Sequence, residues 1–279
     1  MNFKKTRIVL SITIVCLLLC IIFIGYIYIG SGSKEIRAAK KFISLLYLED
    51  IVSESEELKS ISYESTKKND SANQSEYYVI NTRDFGIDID SDYDVVGFKN
   101  KVCTVGETKV SEEEAIKLAK EYLDKIYYGD VEYKETIKDE TQVTPYYSLV
   151  FTKQKNGYPF YKDQIVINID KEKGTLDGYS NMSTIGKPRR AKIKVEQSEA
   201  EKTALNEFST LSGEAKISED TFKAFYMDKD GEETELCYVV SLEGKGIDGK
   251  ETRWKFFVST ESGSIINTIK DVVRETKVS

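Results

Sequence analysis

The sequence repeats itself, and this limits the fold more than any other feature. Val110-Ser111-Glu112-Glu113-Glu114-Ala115 returns as Val195-Glu196-Gln197-Ser198-Glu199-Ala200, and Lys117, Ala119 and Leu123 align at the same spacing with Lys202, Ala204 and Phe208. A stretch that recurs in this way is one supersecondary unit used more than once. Ser111 with Glu114 three residues later is a capping box, and Ala115, Leu118, Ala119, Tyr122, Leu123 and Ile126 form an apolar stripe at helical spacing. Both stretches therefore predict amphipathic helices.

Alternating, β-rich sequence follows each helix. Strands are predicted over 131–137, 146–152, 161–170 and 175–182 after the first, and over 221–227, 234–242, 252–260 and 264–269 after the second. Asn156-Gly157, Gly174, Asp230-Gly231 and Ser262-Gly263 supply the turns. Ile165, Ile167 and Ile169 take the places of Trp254, Phe256 and Val258, so one face of each strand is apolar and should pack on a helix. An earlier, shorter copy is visible too. Ile36, Ala39 and Ile43 precede Ile116, Ala119 and Leu123 at a constant spacing, and Ile87-Asp88-Ile89-Asp90 mirrors Ile167-Asn168-Ile169-Asp170. Gly97-Phe98-Lys99-Asn100 likewise mirrors Gly178-Tyr179-Ser180-Asn181, while 53–75 is rich in Ser, Glu, Lys and Asn and reads partly as loop.

Ahead of the repeats, Ile8 to Ile29 is an apolar run without a charged residue, about the roughly 20 residues a helix needs to cross a bilayer. Lys4, Lys5 and Arg7 precede it, which places the N-terminus in the cytoplasm and the rest outside. A cleaved signal peptide would have a shorter apolar core and a small-residue cleavage site. Leu17-Leu18-Leu19-Cys20 departs from a lipoprotein signal in having Leu19 before the cysteine. The expected organisation is a cytoplasmic 1–7, a transmembrane anchor 8–29, a divergent first repeat 34–103, a second repeat 109–185 and a third 194–270. The fold class is α+β, in tandem helix-plus-antiparallel-sheet repeats after one N-terminal transmembrane helix.

With 40 basic and 47 acidic residues, and three of the basic ones ahead of the anchor, the exterior is acidic. Nucleic acid is not an expected partner, and membrane attachment must rest on the helix. Cys16 and Cys20 lie in the anchor, leaving Cys103 and Cys237 as the exterior thiols, with or without a bridge between them. The chain has no histidine, which removes Ser-His-Asp and Cys-His catalysis, His-containing zinc sites and His-ligated haem.

Helix, antiparallel strands and a turn of the form Asp170-Lys171-Glu172-Lys173-Gly174 before a short apolar strand, together with Asn156-Gly157-Tyr158-Pro159-Phe160, resemble PepSY-type modules. More narrowly, the chain is similar to the tandem YcdB/YcdC-like repeat. Ser259-Thr260-Glu261-Ser262-Gly263-Ser264-Ile265-Ile266 carries the same closing signature, and the resemblance spans roughly Lys34 to Lys270. It implies a bacterial cell-surface protein with a role in protease inhibition or envelope regulation, without catalytic residues. The first copy departs by having Asp94 where the turn glycine would stand, and the last by Gly246-Ile247-Asp248-Gly249 without a proline.

Two sets of residues stand out as candidate sites. Asp88, Asp90, Asp92 and Asp94 alternate; on a strand they would share one face and offer oxygen ligands to calcium, yet the EF-hand glycine and glutamate are missing. A solvated strand edge and turn is the favoured reading, as a hairpin turn is for Asp228-Lys229-Asp230-Gly231. Tyr158, Phe160 and Tyr161 surround a turn and are candidates for contact with a protein or glycan partner, against ordinary packing on a sheet face. No nucleophile elbow or phosphate loop is present and no cofactor is expected. The expected function is non-enzymatic: binding of a protein partner outside the membrane, such as a protease that the repeats inhibit or chaperone. Open sheet edges would allow this by strand addition. The alternatives are a signalling or envelope component that binds wall polymer or a membrane protein, and a hydrolase without histidine.

Overall fold

The computed structural model describes residues 13, 16–21, 33–53, 61–70, 75–102, 106–138, 144–181, 187–188, 190–212, 215–227, 233–246 and 249–271. Its elements fall into three rounds. Helix α1 (Lys34–Leu48) precedes β1 (Glu64–Asp70), β2 (Ser75–Asn81), β3 (Phe85–Ile89) and β4 (Val95–Asn100). Helix α2 (Glu112–Ile126) precedes β5 (Asp130–Ile137), β6 (Tyr146–Lys155), β7 (Tyr158–Asp170) and β8 (Leu176–Ser180). After the two-residue β9 (Lys187–Pro188), helix α3 (Gln197–Ser212) precedes β10 (Ala215–Ile217), β11 (Phe222–Met227), β12 (Glu233–Lys245), β13 (Glu251–Ser259) and β14 (Ile265–Asp271). The chain is an α+β protein.

Local chemistry explains the boundaries. Ser111 caps α2, its hydroxyl accepting the Glu114 N–H at 3.2 Å, which satisfies one of the donors a helix start leaves free. Ala115, Ala119 and Leu123 are its buried stripe. Asn156 and Gly157 take φ of 54° and 77°, the left-handed pair that a two-residue hairpin loop requires between β6 and β7. Within the stretch that reads partly as loop, Glu64–Asp70 forms a strand that the sequence pattern does not mark, paired in register with β2 from Glu64↔Asn81 to Asp70↔Ser75. Its exposed side chains carry no hydrophobic signal, and the ladder with β2 supplies what the sequence pattern lacks.

Two compact units result: residues 1–128, 135–150 and 166–182 form one, and 129–134, 151–165 and 183–279 the other. In the first, the strand order is β1-β2-β3-β4-β8-β7. Its core joins Ala39, Ile43 and Leu46 of α1 and Ala115, Ala119 and Leu123 of α2 to Ile80, Ile87, Ile89, Ile167, Ile169 and Leu176 from the strands, each 1% exposed or less. The second unit runs β7-β11-β12-β13-β14, with β10 and β9 also on β12. Val195, Ala200, Ala204 and Phe208 pack on one sheet face with Tyr238, Val240, Leu242, Phe256 and Val258. Ala224, Tyr226, Cys237, Val239 and Phe257 form the opposite face.

The three rounds share one irregularity. Ile89 pairs with Val95 but Asp88 with Gly97; Ile169 pairs with Leu176 but Asn168 with Gly178; Val258 pairs with Ile265 but Phe257 with Asn267. Each closing strand thus carries a β-bulge one step after its first pair, which bends it and aims the residues that follow.

Candidate functional site

The turn before each bulge is built alike, and this decides what the aspartates do. Asp170 accepts the N–H groups of Glu172 and Lys173 at 2.7 and 2.8 Å through Oδ1. Ser259 accepts those of Glu261 and Ser262 at 3.2 and 3.1 Å, and its hydroxyl donates to Glu235. In the first round Asp90 plays this part, its Oδ1 accepting from Asp92 and Asp94 at 3.0 and 2.8 Å. Gly174 and Gly263 take φ of 71° and 73°, and in the shorter first turn Tyr93 does so at 69°. Its ring stacks on Tyr78 at 6.0 Å between centroids.

The four carboxylates do not share one face, and the segment is a strand edge followed by a turn. Only Asp88 lies on a strand; Asp90 binds its own backbone, and Asp92 and Asp94 are exposed turn residues. Chain reversal after Ile89 ends the alternation that would have aligned them. Among the described residues no group of three or more His, Cys, Asp or Glu side chains is placed to hold a metal ion. Burial raises the pKa of Asp88 and of Asp90 above the ordinary carboxylate value, partly offset by Lys68 for Asp88 and by backbone N–H donors for Asp90. Asp228-Lys229-Asp230-Gly231 and Cys103 lie outside the described residues. Cys237 is a buried free thiol, its pKa pushed up by burial.

Tyr158, Phe160 and Tyr161 lie on β7, after the turn. Phe160 is 8% exposed and stacks on Phe225 at 5.1 Å. Tyr161 meets Phe257 edge-on at 4.7 Å, and Tyr158 packs against the Phe160, Phe225 and Leu236 cluster. These rings hold the second unit together.

A different surface faces outward. β14 ends the strand order, and among the described residues nothing pairs with its outer edge. Beside it is an open groove of about 610 Å³ lined by Thr203 and Glu207 of α3 and by Ile265, Ile266, Asn267 and Thr268 of β14. Four consecutive strand residues line it, so the groove runs along the strand edge and not along one face. At the opposite end of that strand order, β1 is instead exposed and charged, with Glu64, Lys67 and Lys68, the composition that discourages edge pairing. Sequence reading missed the groove, although one signal was present. Thr203 and Glu207 align with Leu118 and Tyr122 of the second copy and with Ala38 and Phe42 of the first.

Before the repeats, residues 16–21 are helical, and Leu17, Leu18, Leu19 and Ile21 are 54–60% exposed. Among the described residues no helix is long and apolar enough to cross a membrane; most of 8–29 lies outside them.

Three helices, each followed by antiparallel strands with the same capped turn and bulge, define a tandem α+β module protein. Residues 48–183 match the family model of the YcdB, YcdC repeated domain. Among solved structures, the chain is similar to the Bacillus megaterium YpeB C-terminal domain, with a TM-score of 0.50 and 16% identity over 84% of this chain and 95% of that one. At that identity the likeness is one of fold. Comparison with curated proteins returned no match.

Proposed function

We propose that this chain is a non-enzymatic, membrane-tethered protein that binds a protein partner outside the cytoplasm and thereby regulates a cell-surface protease. The observation that carries the reading is the outer edge of β14, which has no strand partner among the described residues, beside an open groove. Such an edge offers outward N–H and C=O groups, of which the Thr268 N–H already donates to Asn267 Oδ1 at 2.8 Å, and an extended segment of a partner can add to the ladder without a preformed pocket. A segment held in this way also suits inhibition of a protease, whose own substrates bind in extended form.

The tether rests on the length and composition of Ile8–Ile29 and on Leu17, Leu18, Leu19 and Ile21, four apolar side chains more than half exposed on helical backbone. Lipid is the solvent that suits such a surface. Gly30 to Ser33 spans about 14 Å at most when extended, so the partner lies at or near the membrane surface. Carbonate extraction and external protease digestion of intact cells test location, expecting an integral protein whose repeats are accessible from outside. Crosslinking in those cells, with measurement of extracellular proteolysis before and after deletion, tests function. A protein partner and altered proteolysis are expected; recovery of no protein partner with unchanged proteolysis sinks the proposal.

A further inference from the structure

We infer that the groove between α3 and β14 receives an extended segment of a different protein, which adds as a strand to β14 and sets a Lys or Arg side chain against Glu207. This rests on the protein-binding reading above and names the chemistry of what is bound.

The first compact unit shows what happens when two closing strands meet. β4 and β8 pair antiparallel through Gly97↔Ser180, Phe98↔Tyr179 and Lys99↔Gly178, so each covers the other's edge. The helix positions beside them are apolar: Ala38 and Phe42 on α1, Leu118 and Tyr122 on α2. Phe42 is 8% exposed and lies edge-on to Phe98 at 5.8 Å. The Tyr122 hydroxyl reaches the Gly174 carbonyl at 2.9 Å. β14 is the third closing strand, yet its helix carries Thr203 and Glu207 at those positions.

That difference identifies the occupant. A second copy of the repeat docking as β4 docks on β8 would close over the Glu207 carboxylate, and burial of an unpaired charge is strongly unfavourable. Thr203 does not neutralise it, since its hydroxyl donates to the Glu199 carbonyl at 3.0 Å. Glu207 makes no ion pair among the described residues, and Lys270 at the far end of β14 sits over the Trp254 ring, 5.5 Å from its centroid. A cation supplied by the incoming segment satisfies Glu207, while the outward backbone groups of β14 that neither β13 nor the Asn267 side chain engages give the main-chain ladder. The acidic excess of the chain, net −7, favours approach of a basic segment.

The test places a photoreactive phenylalanine analogue at position 268, and separately at the exposed positions 137 and 222, of the full-length protein in the cells that make it. Crosslinked peptides are then sequenced by mass spectrometry. Position 268 is expected to capture one segment of a different protein with Lys or Arg within the captured stretch. Glu207→Lys should lower that yield by about tenfold while leaving the thermal transition unchanged, and reversal of the partner's cation to Glu should restore it. Capture of a second copy of this chain, a segment without a cation, or an unchanged yield in Glu207→Lys overturns the inference. If position 268 captures nothing but another position captures a protein, the inference fails and the function stands. If no position captures a protein, both fail.

Discussion

Lys153 Nζ lies 2.9 Å from Asp163 Oδ1, and the two side chains are 8% and 7% exposed, so the strands joined by Asn156-Gly157 share an ion pair closed off from water. Removing one member leaves the other charge in a poorly solvated place. Asp163→Asn or Lys153→Met alone is expected to lower stability by about 3–5 kcal/mol. The double substitution Lys153→Met with Asp163→Leu should recover most of that loss, as buried pairs are often no better than apolar residues of similar volume. Urea unfolding of the full chain in detergent checks both, and a double variant as unstable as the singles would refute the account.

Asp88 makes stability depend on pH in an unusual direction. Burial raises its folded-state pKa above the unfolded value, so the folded chain holds the proton more tightly and stability falls as pH rises through that window. Acidification through the same range therefore adds stability from this group. Asn168 occupies the equivalent place in the second round, opposite Gly178 as Asp88 is opposite Gly97. Asp88→Asn should accordingly be more stable than the native chain at neutral pH, with the advantage shrinking on acidification. Thermal melts across a pH series measure it.

Gly174 combines two demands. Its φ is +71°, and a Cβ there would stand 3.0 Å from Leu118 Cδ1. Gly157 has φ +77° with nothing within 4 Å, so it faces the backbone demand alone. Gly157→Ala should cost about 1–2 kcal/mol, the price of a left-handed alanine, and Gly174→Ala measurably more. Adding Leu118→Ala to Gly174→Ala tests the steric part by double-mutant cycle, and a coupling of zero would remove it.

Asp170 accepts two backbone N–H groups inside its turn. Asp170→Ala removes both bonds at a cost of about 1–3 kcal/mol. Asp170→Asn keeps an acceptor oxygen in place and should cost less. Unfolding midpoints rank the three chains, and equal losses for Ala and Asn would show that charge matters more than geometry.

Much of the architecture was legible because its causes are local. Ser111 with Glu114 marked the start of α2, Asn156-Gly157 the β6–β7 turn, and the Ile165, Ile167 and Ile169 alternation the buried face of β7. Glu64–Asp70 was not legible as a strand, because its order comes from pairing with β2 and not from burial of its own side chains. The aspartates left two readings open, a shared strand face or a strand edge and turn. Alternation in Asp88–Asp94 mimics a strand, while chain reversal after Ile89 depends on Asp90 closing the turn.

The candidate site lay further from reach. From residues alone, Tyr158, Phe160 and Tyr161 were the surface candidates; in the structure Phe160 and Tyr161 contact Phe225, Phe257 and Tyr226. Sequence by itself determined the helices, most strands of the second and third repeats, the acidic character and the absence of histidine chemistry, since these follow from neighbours a few residues apart and from composition. Only the tertiary structure decided that β4 pairs with β8 while, among the described residues, the outer edge of β14 has no partner. Strand partners are far apart in the chain, and their choice depends on which side chains face each other once the helices have packed.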